Sequence, residues 1–388
     1  MGLPAESAPA PVSAAERRWN LAAAISSVTV FGMGIALGGP LLSLVLEGRG
    51  VDATLNGLNA ASTFLGVIVG PLLTPRAVGR FGIRRFLLGC FAIDIALFLL
   101  MKLVDSIGAW FVLRMTLGIV GSSIFTATEA WINLLADDAG RGRILGIYIA
   151  SLSAGFGIGP LLLSITGTAG WTPFIAASLI VAIAAIPLLA AGDGTRDLGR
   201  TPAQSPLAVF AREPILLFTV ALFGLYEAAI MTLLPIWGVR IGLGEKLGAA
   251  TVSAIYFGAI ALQVPIGWLS DKVERRAVVR LCAAAGLAGA ALLPFVASAT
   301  PVLFAVLFLW GGFTTAIYPV ALAMAGERFR GAELVSVNAA IVTGYGLGAL
   351  VGPVLGGAAM DAWNPQGLPA VLALLFAVLV ASTFARRH

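Results

Sequence analysis

Histidine is almost absent from this chain of 388 residues: the single copy, His388, is the last residue. That excludes histidine-based acid–base chemistry and any metal site built on imidazole. Cysteine is nearly as scarce. Cys90 and Cys282 both fall inside apolar runs, with no CxxC spacing, so neither a disulfide framework nor a thiolate metal centre is expected. No GxxxxGK[ST] phosphate loop occurs, which leaves no nucleotide-driven step. No cofactor and no metal are expected. Charge is the broadest deficit. Only 11% of residues are charged, against about 25% in soluble domains.

What fills the space is hydrophobic sequence, 59% of the chain. Apolar runs of 18 or more residues recur along the whole length, as transmembrane helices require. Shorter segments with alternating polarity, the mark of a β-barrel, do not appear. The fold class expected is an all-α integral membrane protein with membrane lipid as its solvent. The net charge of +5 is spread over short loops. That distribution suits membrane orientation and gives no nucleic-acid-binding patch.

Twelve spans are expected, at about 19–46, 54–78, 82–103, 108–135, 143–167, 171–191, 214–240, 247–270, 276–297, 302–326, 333–359 and 367–385. Residues 1–18 are rich in Pro, Ala and Ser and read as a disordered cytoplasmic tail. Glu6, Glu16 and several prolines precede the first apolar run, which argues against a signal peptide. The polar stretch 192–213 reads as a linker. It separates a six-helix bundle at 19–191 from a second at 214–388. With both termini in the cytoplasm, 19 of the 24 cations fall on inner segments, four on outer loops, and Arg114 within a span. That asymmetry supports this topology in a plasma membrane, the inner membrane of a bacterium.

The two halves repeat. Gly155, Gly159 and Pro160 correspond to Gly348, Gly352 and Pro353 at an offset of 193. The loop PRAVGRFGIRR (75–85) corresponds to GWLSDKVERR (267–276) at an offset of 192. Duplication on this scale marks secondary transporters, whose substrate site lies between the halves near mid-membrane.

These segments resemble the major facilitator superfamily over essentially the whole chain after the tail. Gly267, Asp271, Lys272, Arg275 and Arg276 fit its cytoplasmic-loop motif, with Glu274 in place of the second glycine. The first copy departs further, with Pro75 for the first glycine and Gly79 for the aspartate, but retains Arg80, Gly82 and Arg84. Arg114, Gly118 and Gly121 look like the fourth-helix motif. Gly146, Gly155, Gly159 and Pro160 match the fifth-helix glycines of proton-linked exporters. TEAWIN (128–133), LPIWGVRIGL (234–243), LQVPIGWLSDK (262–272) and AIYPVALAMAGE (316–327) are similar to the YcaD-type branch. The resemblance implies two pseudo-symmetric six-helix bundles that rock about a central cavity. It also implies a cytoplasmic gate at the two loop motifs. Gly155, Gly159, Pro160, Gly348, Gly352 and Pro353 either bend their helices or allow close packing.

Four ionisable residues lie within spans: Asp94, Arg114, Glu129 and Glu227. Charges at such depth are costly and are functional candidates by default. Glu227 sits near the middle of the seventh span. At 100° per residue, Gly224, Glu227, Ala228, Met231, Pro235 and Gly238 share one arc, facing the cavity. An apolar surrounding favours a neutral carboxyl, so Glu227 is the leading proton-coupling or substrate-binding residue. A neutral Glu hydrogen-bonded between helices is the alternative. Folding the third and fourth spans about residues 105–106 puts Asp94 and Arg114 at depths differing by about 6 Å, within reach of an ion pair. Glu129 lies near the inner end, at the depth of Arg80 and Arg84. In the superfamily a fourth-helix acid often pairs with that loop, so Glu129 is expected in the gate. Asn59, Met231, Tyr256, Gln263, Tyr318, Asn338 and Tyr345 are possible cavity liners.

The expected function is secondary transport of a small molecule by alternating access in a monomer, coupled to protons, with export of amphipathic or cationic compounds preferred. Proton-coupled uptake of a metabolite is the alternative. A membrane-embedded enzyme fits less well, because no nucleophile–base pair or metal cluster is present, and the short loops without an appended domain argue against a non-transporting sensor.

Overall fold

The computed structural model describes residues 14–136, 141–192, 214–329 and 331–384. Most of the tail (1–13) and of the linker (193–213) lies outside them. The described chain is helical: α1 Ala14–Gly48, α2 Ala53–Phe81, α3 Ile83–Leu103, α4 Ile107–Leu135, α5 Arg141–Thr166, α6 Thr172–Leu189, α7 Pro214–Arg240, α8 Gly244–Lys272, α9 Arg275–Val296, α10 Thr300–Thr315, α11 Ile317–Arg328, α12 Gly331–Ala362 and α13 Gly367–Phe384. Together they supply twelve helices long and apolar enough to cross a membrane, with α10 and α11 sharing one crossing.

Two expectations need correction. Helix α1 starts at Ala14, so residues 14–18 are not part of a tail. Ala14, Ala15, Glu16, Arg17 and Arg18 are good helix formers, and Glu16 in the first turn suits the helix dipole. The tenth span is also not one helix, since it breaks at Ala316. Pro319 has no N–H to offer the Thr315 carbonyl. The Thr314 and Thr315 hydroxyls donate back to the Trp310 and Gly311 carbonyls at 2.8 and 2.6 Å, which favours a bend.

Each half has its own core. Phe31, Phe91, Trp110 and Trp131 anchor the first, while Tyr226, Trp237, Trp310 and Phe376 anchor the second. The repeat reappears as matched backbone contacts. A Cβ on Gly155 would stand 2.5 Å from the Thr29 carbonyl, and one on Gly159 would stand 2.4 Å from that of Met33, both on α1. On Gly348 and Gly352 it would stand 1.8 and 2.1 Å from the Ala221 and Leu225 carbonyls of α7. Helices α5 and α12 run unbroken through Pro160 and Pro353. The geometry therefore gives these glycines a packing role, with backbone of a neighbouring helix where a Cβ would stand. Gly66 against Met115 and Gly258 against Phe308 repeat the same device between α2 and α4, and between α8 and α10.

The halves meet along α2–α12 and α5–α8, and α1 meets α7. The α2–α12 seam is tightest toward one end of the bundle. There a Cβ on Gly57 would lie 2.1 Å from the Pro353 carbonyl, and one on Gly357 would lie 2.2 Å from that of Ala53. This end, which carries the α1–α2, α7–α8 and α12–α13 turns, is called the seam end below.

Candidate substrate cavity and coupling site

A cavity of about 400 Å³ lies between the halves, within the size range of small-molecule sites. Its wall is mostly apolar. It runs from Leu42, on the seam side, to Pro71 and Thr126 toward the opposite end, with Phe64, Phe98, Phe125 and Phe156 among its aromatic lining. Two acids and one arginine line it: Asp94, Glu227 and Arg114.

Glu227 enters from α7. Its carboxylate accepts one hydrogen bond on each oxygen, from the Tyr256 hydroxyl of α8 at 3.1 Å and the Tyr345 hydroxyl of α12 at 2.8 Å. These partners stand on the two second-half helices that form the seams. Tyr256 stacks on Phe156 of α5 in the other half, with ring centroids 5.4 Å apart and an interplanar angle of 25°. Tyr345 packs against Tyr318 and Phe223 at 5.9 and 6.2 Å. Two hydroxyls, one per oxygen, can both donate to the carboxylate in its ionised form. A protonated carboxyl would itself donate at one oxygen, so one tyrosine would have to turn from donor to acceptor. Of the arc expected to face the cavity, Glu227, Ala228 and Met231 do so. Gly224 instead packs on the Tyr345 backbone, and Gly238 packs on Gly248.

Asp94 and Arg114 are both buried and line the same cavity, but no ion pair joins them among the described residues. The Arg114 guanidinium reaches Ser43 of α1 at 3.5 Å, and its Nε has no partner. One Asp94 oxygen is likewise unpartnered. The depth arithmetic brings the two to one wall, but the rotation of α4 sends the arginine toward α1.

The other expected liners divide. Met231, Tyr256 and Tyr345 line the cavity. Tyr318 stands behind Tyr345, stacked on Phe223 at 5.4 Å. Asn59 is fully buried with both amide atoms unpartnered, and its neighbour Ala60 faces the cavity instead. Gln263 is half-buried on α8, away from the lining. The Asn338 side chain lies outside the described residues.

At the end opposite the seam, the contacts described for Arg80, Arg84, Lys272 and Arg275 lie within their own halves. Arg84 donates to the Leu188 carbonyl at 2.9 Å and to that of Leu189, at the end of α6. Arg80 lies over the Phe81 ring at 5.4 Å. Glu129 is exposed and makes no ion pair with Arg80 or Arg84 among the described residues. Arg275 pairs with Asp271 at 3.7 Å and Glu327 at 3.4 Å, and it donates to the Ala323 carbonyl of α11. Lys272 sits over Trp268 at 3.7 Å. Gly267 is free of close neighbours, and Arg276 opens α9 beside Arg275.

At the seam end stands a group that no loop motif marks: Glu47 on α1, Asp52 and Thr54 at the start of α2, Arg240 on α7 and Asp361 on α12. The only local signal is Asp52 three residues before Leu55, a helix-start pattern. Nothing local ties it to Asp361.

Comparison with known proteins agrees with this architecture. The Major Facilitator Superfamily model matches residues 24–257 and 246–388. An uncharacterized MFS-type transporter of Bacillus subtilis (strain 168), YfkF, is 25% identical over 352 residues, covering 88% of each chain. An uncharacterized MFS-type transporter of Yersinia pseudotuberculosis serotype O:3 (strain YPIII) is 27% identical over 371 residues, covering 93% of this chain and 92% of its own. Among solved structures, the D323A mutant of the nucleoside transporter NupG superposes with a TM-score of 0.80 at 13% identity, covering 95% of this chain and all of that one. A bacterial homolog of the human lysosomal transporter Spinster superposes with a TM-score of 0.69 at 16% identity, over 96% and 95% of the two chains.

Proposed function

Because the chain belongs to the Major Facilitator Superfamily, and is a transporter rather than an enzyme, we propose that it exchanges protons for a small amphipathic molecule by alternating access, with Glu227 as the protonatable site. The observation that carries this reading is the bonding of Glu227 to Tyr256 and Tyr345, one on each seam-forming helix. Protonation reverses or breaks one of those bonds. Through the Tyr256–Phe156 stack that change reaches the other half. Arg114 holds a positive charge on the wall formed by the first half, which opposes a second cation beside it. The apolar, aromatic lining favours a cargo with an apolar body. Export is the proposed direction, on the likeness of the α5 glycines to those of proton-linked exporters. The asymmetry of the basic residues supports a seam end that faces outside, and on that reading the described conformation is closed to the exterior.

The test begins with a thermal-shift screen of the purified protein against metabolites and amphipathic cations, since a ligand of the folded state raises its apparent stability. The best binder is then followed in proteoliposomes with an imposed pH gradient. Wild type accumulates it against its own gradient. Glu227→Gln is expected to keep binding while losing gradient-driven flux. Unchanged gradient-driven flux in Glu227→Gln would remove that residue from the coupling scheme.

A further inference from the structure

Four N–H groups open α2, and each has an acceptor. Leu55 N donates to the Asp52 carboxylate at 2.7 Å, and Asn56 N donates to the Asp52 carbonyl at 3.0 Å. These bonds are local. The other two cross to the opposite half. Ala53 N donates to Asp361 Oδ1 at 3.1 Å and Thr54 N to Asp361 Oδ2 at 2.7 Å, while the Thr54 hydroxyl adds a bond at 2.6 Å. Asp361 stands on the last turn of α12, 308 residues from Ala53 in sequence. A carboxylate astride two N–H groups at a helix start also meets the positive end of the helix dipole.

Beside it, Arg240 forks onto Glu47, with Nε to Oε1 at 2.8 Å and Nη2 to Oε2 at 3.0 Å. Arg240 Nη1 lies 3.8 Å from Asp361 Oδ1 and 3.2 Å from Asn364 Oδ1. The pairing is crossed. The first half offers a carboxylate and a positive helix end, and the second half offers an arginine and a carboxylate. Just below, Gly57 and Gly357 remove the side chains that would hold the two backbones apart.

We propose that Asp361 is a gate residue that closes the seam end by capping α2 of the opposite half, with the Glu47–Arg240 fork as its partner. This rests on the alternating-access reading. Opening the seam must uncap Ala53 and Thr54. The Asp361 side chain is 32% exposed, so water replaces the lost bonds and no buried charge is stranded. That suits a contact made and broken in every cycle.

The experiment measures distances between spin-label pairs by double electron–electron resonance in nanodiscs, with Cys90 and Cys282 replaced by alanine. Exposed positions Ala169 and Ser298 report the seam end, and Phe81 and Val273 report the opposite end. In the parent, the seam-end distribution is short. Asp361→Ala is expected to add a longer component and raise the open-to-closed ratio about tenfold, the equivalent of roughly one charge-assisted hydrogen bond. Glu47→Gln shifts it the same way, and Thr54→Val does so less. An unchanged seam-end distribution in a folded, monodisperse Asp361→Ala protein overturns the proposal. If that variant does not fold, Asp361→Asn keeps the side-chain size and one acceptor, and the same criterion applies to it. The opposite-end pair separates two failures. If that pair moves while the seam end ignores Asp361, the gate assignment falls and alternating access stands. If neither pair moves in any variant or with pH, both fall.

Discussion

Two hydroxyl groups hold Glu227, and they decide what its replacement does. Tyr345→Phe removes the 2.8 Å donor and keeps the ring. Leaving a carboxylate oxygen without a partner in such a place costs about 1–3 kcal/mol. The variant is expected to melt lower at neutral pH. Adding Glu227→Gln should recover part of the loss, so a double-mutant cycle gives a coupling well above additivity error. Full additivity would mean that the bond contributes nothing. Asp94 is the contrasting case. It is buried, with one oxygen unpartnered and no cation bonded to it among the described residues, so Asp94→Asn is expected to leave the melting temperature unchanged or raised. A clear drop on thermal unfolding would show that the carboxylate has a partner after all. The acids themselves were readable in the sequence because charge is rare in apolar runs. Their partners were not. Helical depth follows from counting residues, whereas the rotation that turns Arg114 toward Ser43 is set by packing against a third helix.

Among the helices, glycine marks where backbones touch. Gly258→Ala on α8 would push a methyl to 1.7 Å from the Phe308 carbonyl. A helix backbone yields little, so a loss of about 1–3 kcal/mol is expected from overpacking. Gly89→Ala is the matched control on α3. No atom lies within 4 Å of the added methyl, and the gain in helix propensity should stabilise by about 0.4–1 kcal/mol. Opposite shifts in melting temperature would confirm the contrast, and equal shifts would refute the packing role. The twelve spans were legible because each is a long apolar run bounded by polar turns. The break at Ala316 was not. A proline or a pair of threonines is tolerated inside many membrane helices, and only their combination with the returning hydroxyl bonds ends α10. The α5 and α12 glycines were visible as a repeat, but composition alone could not separate a bend from a contact.

For the whole molecule, the described contacts correspond, on the proposed alternating-access cycle, to one of its two states. Among the described residues, the polar contacts seen between the halves at a bundle end fall on the seam side: Glu47 with Arg240, Asp361 with the start of α2, and the Thr168 hydroxyl with Glu245. At the other end, Arg84 bonds to the end of α6 and Arg275 pairs with Glu327, each inside its own half. No local pattern could reveal this, because the partners lie in different halves. A wedge at the seam tests it directly. Gly57→Leu would drive a side chain into the Pro353 backbone, where even a Cβ would sit 2.1 Å from the carbonyl. The two halves must then part at that end. A cysteine at Met231 on the cavity wall, in a chain lacking Cys90 and Cys282, reports the result through a membrane-impermeant thiol reagent. Without the wedge, labelling is expected only in vesicles that expose the end opposite the seam. With Gly57→Leu, labelling should appear in vesicles of the other orientation, at the expense of the first. Labelling from the same side in both proteins would mean that the seam does not close the cavity. Labelling of the parent from the seam side alone would reverse the assignment of the open end.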